Sequence, residues 1–375
     1  MRVRIAAVAL LLGIAGLLRA QETSWISRTT QAVSRKLTTP SRIFDTTYVF
    51  QLSKPWLVSL NGDLIWSGVT LDSDITFAAE GDKLRLSKQL GNNYFKKVGA
   101  GVAYGSLQFS YTLEVARSKT QPNRYFNISF VRPSFGVSVQ YYDLHEYLNG
   151  QLSSAWLDEP IELASSAPGH MRQVIIDGFY FFNPSHFSYK AVTGRQLIQR
   201  RSAGSWMALA RYMQEEYRDD LNEQSLDLWF DYIGHYRIHA FSLGAGYSFN
   251  WVPLHRNAVE VGRPLQGLRN LTFNATLVPY VSLFNSVATA QHHQAGTPEA
   301  TEGPLVPSHK AFLPTFNVTA RAGICFSWNH FVLSAVVVGD RYTFRNLQAV
   351  SDGFETTNSG LFYDLTTQMA FGYRF

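Results

Sequence analysis

The sequence predicts an all-β chain, a transmembrane antiparallel β-barrel of about 12 strands that ends in a C-terminal Phe strand. Three observations carry this reading. The final stretch, LFYDLTTQMAFGYRF (361–375), alternates for its whole length. Leu361, Tyr363, Leu365, Met369, Phe371, Tyr373 and Phe375 occupy one face, and Asp364, Thr366, Gln368, Ala370, Gly372 and Arg374 the other, with only Phe362 out of step. A period of two gives a strand with one apolar and one polar face. Aromatic residues make up 14% of the chain and charged ones only 16%, against about a quarter charged in soluble domains. The mean hydropathy is nevertheless −0.10, as for a barrel whose greasy outside and polar inside cancel.

The N-terminus reads as an export leader over residues 1–20. Arg2 and Arg4 precede an apolar run from Ile5 to Leu18, and Ala20 offers a small residue for cleavage. The run is shorter than the ~20 residues a spanning helix requires, and Gln21 in place of a cysteine closes the lipoprotein route. Loss of Arg2, Arg4 and Arg19 with the leader leaves 30 of the 33 basic residues against 28 acidic ones, a mature charge of +2. With no dense basic stripe, no nucleic-acid partner is expected. The lone Cys325 excludes an internal disulfide.

Residues 21–54 are polar and irregular, a periplasmic lead-in to a barrel over 55–375. The first strand starts at Trp56, with Ser59, Asn61 and Asp63 on its polar face; Asp72 to Gly81 reads as a loop. The return strand falls within Lys83 to Tyr104, where LGNNYFKK breaks the pattern. Alternation is then clear over 107–115, 126–130, 135–141, 240–252, 271–277, 316–324 and 331–337; VIIDGFYFF (174–182) puts Asp177 on one face, and 204–217 is ambiguous, since Met207 and Leu209 share a face with Arg211. If the last strand runs toward the periplasm, tight turns near Gly105, Arg132 and Asn329 fall on the periplasmic side. Long connections at 144–170, 218–235, 286–312 and 345–359 then fall outside, the asymmetry of outer-membrane barrels. Segments 183–203 and 252–269 are too long for that scheme and read as small periplasmic features.

Several segments resemble a family of outer-membrane barrel proteins of Bacteroidota-type bacteria, catalogued as domain of unknown function 4421. They are YFFN (180–183), FSY (187–189), RSAGS (201–205), SLG (242–244), GY (246–247), NWVP (250–253), RAG (321–323) and the terminal FGYRF (371–375). The insert from Pro253 to Arg269 is longer than the family pattern. The resemblance implies fold and an outer-membrane location, and carries no activity, cofactor or catalytic residue.

Candidate chemistry is sparse. Asp63, Glu114, Asp177, Arg211, Arg321 and Asp364 are expected on the inner face, either as a charge-paired packing network or as a pore constriction. Phe371, Tyr373 and Phe375 are expected to form an assembly signal read by the barrel-assembly machinery. The 183–203 segment, with Phe187, Tyr189, Arg200 and Arg201, is basic and aromatic. It suits interface anchoring beside outer-membrane lipid, or docking of a periplasmic partner. His235 and His239 share a strand face but lack a third ligand, His292-His293 lies in a loop, and Ser185-His186, the one adjacent pair, falls in the expected periplasmic segment, so neither a metal, a cofactor nor an enzyme is expected. Sequons at Asn127, Asn270, Asn274 and Asn317 fall inside strand patterns. Two functions remain open: a narrow channel or transport component, and a closed structural or partner-binding barrel.

Overall fold

The structure, a computed structural model, describes residues 43–52, 56–77, 83–91, 95–115, 123–147, 150–154, 161–163, 169–193, 197–219, 232–256, 267–292, 306–307, 314–350 and 354–375. The leader and most of the lead-in lie outside the described residues.

Twelve strands form the wall: β1 (Trp56–Phe77), β2 (Phe95–Tyr104), β3 (Leu107–Glu114), β4 (Arg124–Val131), β5 (Phe135–Tyr147), β6 (Gly169–Phe181), β7 (Ala203–Asp219), β8 (Tyr232–Arg256), β9 (Arg269–His292), β10 (Thr315–Trp328), β11 (Phe331–Val350) and β12 (Phe354–Arg374). Each pairs antiparallel with its chain neighbours. β12 closes on β1 from Phe354 opposite Phe77 to Arg374 opposite Leu57. Closure leaves the wall with no free edge, which is how a sheet satisfies all its backbone groups without help from water.

One end carries the tight turns. Gly105 and Asn329 take positive φ, 58° and 51°, each opening a two-residue hairpin loop where glycine and asparagine are favoured. The other end carries the long connections, and there the ribbons extend further than alternation shows. β1 runs through Phe77 across part of the stretch read as a loop, and β9 reaches His292. β11 and β12 stay paired up to Val350 opposite Phe354, so the loop expected at 345–359 is mostly hairpin. The return strand expected within Lys83–Tyr104 is Phe95–Tyr104, while Lys83–Gly91 forms a separate strand that pairs with the upper half of β1 and with Gly150–Ser154.

The outward face is apolar around the circumference. Leu60, Trp206, Leu277, Leu333 and Phe371 are each more than half exposed, and Trp251, Phe316 and Met369 join them. A continuous patch of this extent has no counterpart on an ordinary soluble surface. The inward face is mixed. Its polar part includes Ser248 bonded to Thr276 (2.6 Å) and Asn274 bonded to Asn250 (2.9 Å). Its apolar part includes Met171, Ile175, Leu209, Met213, Tyr217, Tyr236 and Ile238 of β6 to β8 in one cluster. The ambiguity of 204–217 resolves here: Met207, Leu209 and Arg211 all point inward. Phe362, out of step in the last strand, joins the same inner cluster against Tyr236 and Tyr342.

Candidate functional site

The centre of the lumen is organised by Arg211. Strand pairing sets it opposite Ser242 and beside Asp177 of β6, its register partner. Its guanidinium donates to both Asp177 oxygens, Nε to Oδ1 at 2.7 Å and Nη2 to Oδ2 at 3.0 Å. Nη1 reaches across to Asp340 Oδ1 at 2.7 Å and to the Tyr280 hydroxyl at 3.2 Å. The planar fork of arginine suits such a two-carboxylate clamp, which a lysine could not make. Asp364, Arg321 and Gln368 line the same cavity, of about 190 Å³.

A second cluster occupies the β1–β3 side. Lys97 lies between Asp63 and Glu114 in the strand register. It is 1% exposed, and its Nζ sits 5.5 Å from the Tyr125 ring centre with no hydrogen-bond partner among the described residues. Asp63 accepts from the Thr112 hydroxyl at 2.9 Å. Nearer the long-loop end, Glu215 accepts from Gln173 (2.6 Å) and the Tyr236 hydroxyl (2.8 Å).

Residues 187–193 fill the lumen at the short-turn end. The expectation of a small feature outside the wall, with aromatic rings at a membrane interface, does not match this placement. Phe187 and Val192 are fully buried. Phe187 packs on Phe181 (5.6 Å between ring centres), and Tyr189 lies under the Arg321 guanidinium at 4.5 Å. A single 3-10 turn, Tyr189–Thr193, carries Lys190, whose Nζ donates to the Ser106 carbonyl at 2.8 Å. Wall side chains hold the segment's backbone: Asn250 donates to the Ser188 carbonyl and Asn270 to the Gln199 carbonyl, both at 2.8 Å. Val192 comes so close to Gly323 that a Cβ there would meet it at 2.4 Å. Charged and aromatic residues enter a barrel lumen when inward polar groups can receive them, and the inner face here supplies those groups.

The lead-in clasps the same segment. Val49–Gln51 pairs antiparallel with Leu197–Gln199. Arg200 donates to the Thr46 carbonyl at 2.7 Å, and Arg201 lies 5.8 Å from the Tyr48 ring centre. On this exposed surface the Thr47 hydroxyl and backbone N–H hold the Asp45 carboxyl below its ordinary pKa, with His186 adding to the effect. Phe371, Tyr373 and Phe375 lie on the outward face at the short-turn end, Tyr373 edge-on to Phe375 at 5.0 Å.

The structure thus places Asp63, Asp177, Arg211, Arg321 and Asp364 in the lumen, gathers Asp177 with Arg211, and sets Glu114 beside Lys97. Sequence reasoning missed Lys97, Glu215, Tyr280 and Asp340, and counted Lys190 only among the basic residues of 183–203. Lys97 shares its parity with Gly99, Gly101 and Ala103, and Glu215 with Arg211, so alternation carried a signal for both. Nothing local marks Asp340. His239 Nδ1 lies 2.8 Å from the Tyr212 hydroxyl; the side chain of His235, and His293, lie outside the described residues.

Among solved structures, the chain is similar to the outer membrane protease OmpT from Escherichia coli, with 7% identity, 85% of this chain and 97% of that chain covered, and a TM-score of 0.34. It is also similar to a bacterial polysaccharide outer membrane secretin (11% identity, 84% and 98% covered, TM-score 0.26). A third likeness is to the toluene transporter TodX of Pseudomonas putida (8% identity, 86% and 90% covered, TM-score 0.21). No curated protein matches the sequence. A family model does match, over residues 73–375, and the chain belongs to that family, described as a domain of unknown function (DUF4421).

Proposed function

We propose that this protein is an integral outer-membrane barrel whose lumen is closed by its own 183–201 segment, and that it works as a partner-binding or structural barrel. The outward apolar face and the closed wall support the membrane placement: an edgeless sheet with a greasy exterior matches a bilayer and would be a liability in water. The family resemblance adds a Bacteroidota-type source, and the leader-like N-terminus adds export. Surrounding lipid, the barrel-assembly machinery reading Phe371, Tyr373 and Phe375, and a periplasmic protein meeting the Arg200–Arg201 surface are the partners this reading brings.

The observation that carries closure is the anchoring of Ser188, Lys190 and Gln199 to the wall by side-chain to backbone bonds. Fully buried Phe187 and Val192 leave that end of the lumen packed. Single-channel recording in planar bilayers tests it. The wild type should be silent with insertion verified by its heat-modifiable migration, and replacing 184–200 by a short turn should produce discrete steps. Steps in the wild type would sink closure. A gated narrow channel is the second reading, favoured by the charge-lined cavity of about 190 Å³ beside the segment.

A further inference from the structure

The outer face of the wall carries a cluster that the lumen does not use. Tyr142 lines the cavity and Leu144 belongs to the inner apolar cluster. Alternation therefore turns Asp143 and His145 of β5 outward. On β6, Met171 packs inward and Gln173 bonds to Glu215 inside, so His170 and Arg172 share the outer face with Asp143 and His145. The pairing of β5 with β6 shifts register between Gly169 and Met171, and a bulge of this kind re-aims side chains. It brings His170 Nε2 to 2.7 Å and His145 Nε2 to 3.5 Å from the same oxygen, Asp143 Oδ1. The two imidazole rings stack at 4.3 Å, 7° from parallel. One donor atom from each of the three residues lies within 4.8 Å of the others.

We propose that Asp143, His145 and His170 bind a divalent transition-metal ion, with zinc the ion best matched. Two imidazole nitrogens and one carboxylate oxygen form a three-ligand zinc set whose fourth position takes water. Calcium and magnesium prefer oxygen donors throughout. Tetrahedral bonds of about 2.0–2.2 Å set donors roughly 3.3–3.5 Å apart. His145 and Asp143 already have that spacing, and His170 has to back away by less than about 1 Å as the metal replaces its hydrogen-bonded proton.

The site is held from beneath. The carboxylate of Asp143 is buried, and the backbone N–H of His145 donates to Oδ1 of fully buried Asn123 at 2.5 Å. Two cations oppose the metal. Arg172 Nε is 3.7 Å from Asp143 Oδ1, and Arg124 stands opposite Asp143 in the register of β4 with β5. The Arg172 side chain is 59% exposed and free to swing into solvent when the metal takes the oxygen. The position lies toward the long connection after β5, away from Phe135 and Val137 of the apolar face, where an aqueous ion can reach it.

The test is zinc titration of the purified full-length barrel by calorimetry, after chelator treatment and with folding checked by heat-modifiable migration. One equivalent should bind. His145→Gln and His170→Gln should each weaken it at least tenfold, and a His292→Gln/His293→Gln double variant should leave it unchanged. Arg172→Gln should tighten binding several-fold, because it removes the competitor for Asp143; this gain keeps the test decisive if a histidine variant fails to assemble. No zinc bound by the wild type overturns the proposal. Wild-type affinity in His145→Gln and His170→Gln, or no gain in Arg172→Gln, overturns it equally, placing the zinc elsewhere among the ten histidines.

Discussion

Lys190 Nζ donates to the carbonyl oxygen of Ser106 at 2.8 Å, joining residues 84 apart in the chain. The bond ties the segment between β6 and β7 to the tight turn between β2 and β3, on the other side of the lumen. Its partners are a charged donor and a neutral carbonyl in a buried place, where a charge-assisted bond is worth about 1.5–3 kcal/mol. Replacing Lys190 by Met removes the bond and keeps most of the volume. Hydrogen exchange at the amides of 187–193 should then rise well above the wild type while the wall strands stay protected. Unchanged protection would mean that Asn250 and Asn270 hold the segment without it.

Gly323 decides whether the segment fits at all. A side chain there meets Val192 at 2.4 Å from its first carbon, closer than atoms can pack. Gly323→Val should expel the 3-10 turn from the lumen, expose Lys190 to trypsin and give the barrel a measurable conductance. Pairing a smaller change, Gly323→Ala, with Val192→Ala should restore trypsin resistance. A silent, trypsin-resistant Gly323→Val barrel would contradict the close packing.

Removing Arg211 strands two carboxylates. Asp177 and Asp340 both depend on its guanidinium, and breaking a buried ion pair by deleting one partner costs about 3–5 kcal/mol. Arg211→Met should lower the urea midpoint of the heat-modifiable form sharply. Adding Asp177→Asn and Asp340→Asn should recover part of the loss, since neutral amides are cheaper to bury than unpaired anions.

The outward face gives a test of the solvent it meets. Leu243, exposed on the middle of β8, should tolerate arginine poorly: a cationic residue facing lipid costs about 2–4 kcal/mol near the bilayer midplane and much less toward the interfaces. On a water-facing surface the same change stays within about 0.5 kcal/mol. Equal unfolding midpoints for Leu243→Arg and the wild type would argue that this face is not in a bilayer.

The sequence by itself determined the wall. Alternation in 361–375 and its upstream counterparts reports a difference between two faces, and that difference is local to each strand. It therefore located most strands, set the side that Asp63, Asp177, Arg211 and Asp364 share, and assigned the short turns at Gly105 and Asn329, where positive φ favours glycine and asparagine. It did not follow β1, β11 and β12 into their extensions, and within Lys83–Tyr104 it did not separate the return strand Phe95–Tyr104 from Lys83–Gly91. Tertiary structure alone decided what fills the barrel. That Lys190 meets Ser106, that Val192 needs Gly323, that Arg211 reaches Asp340, and that a bulge gathers His145 and His170 on Asp143 all depend on closure and register. Those relations join residues distant in the chain, and no periodicity within one strand encodes them.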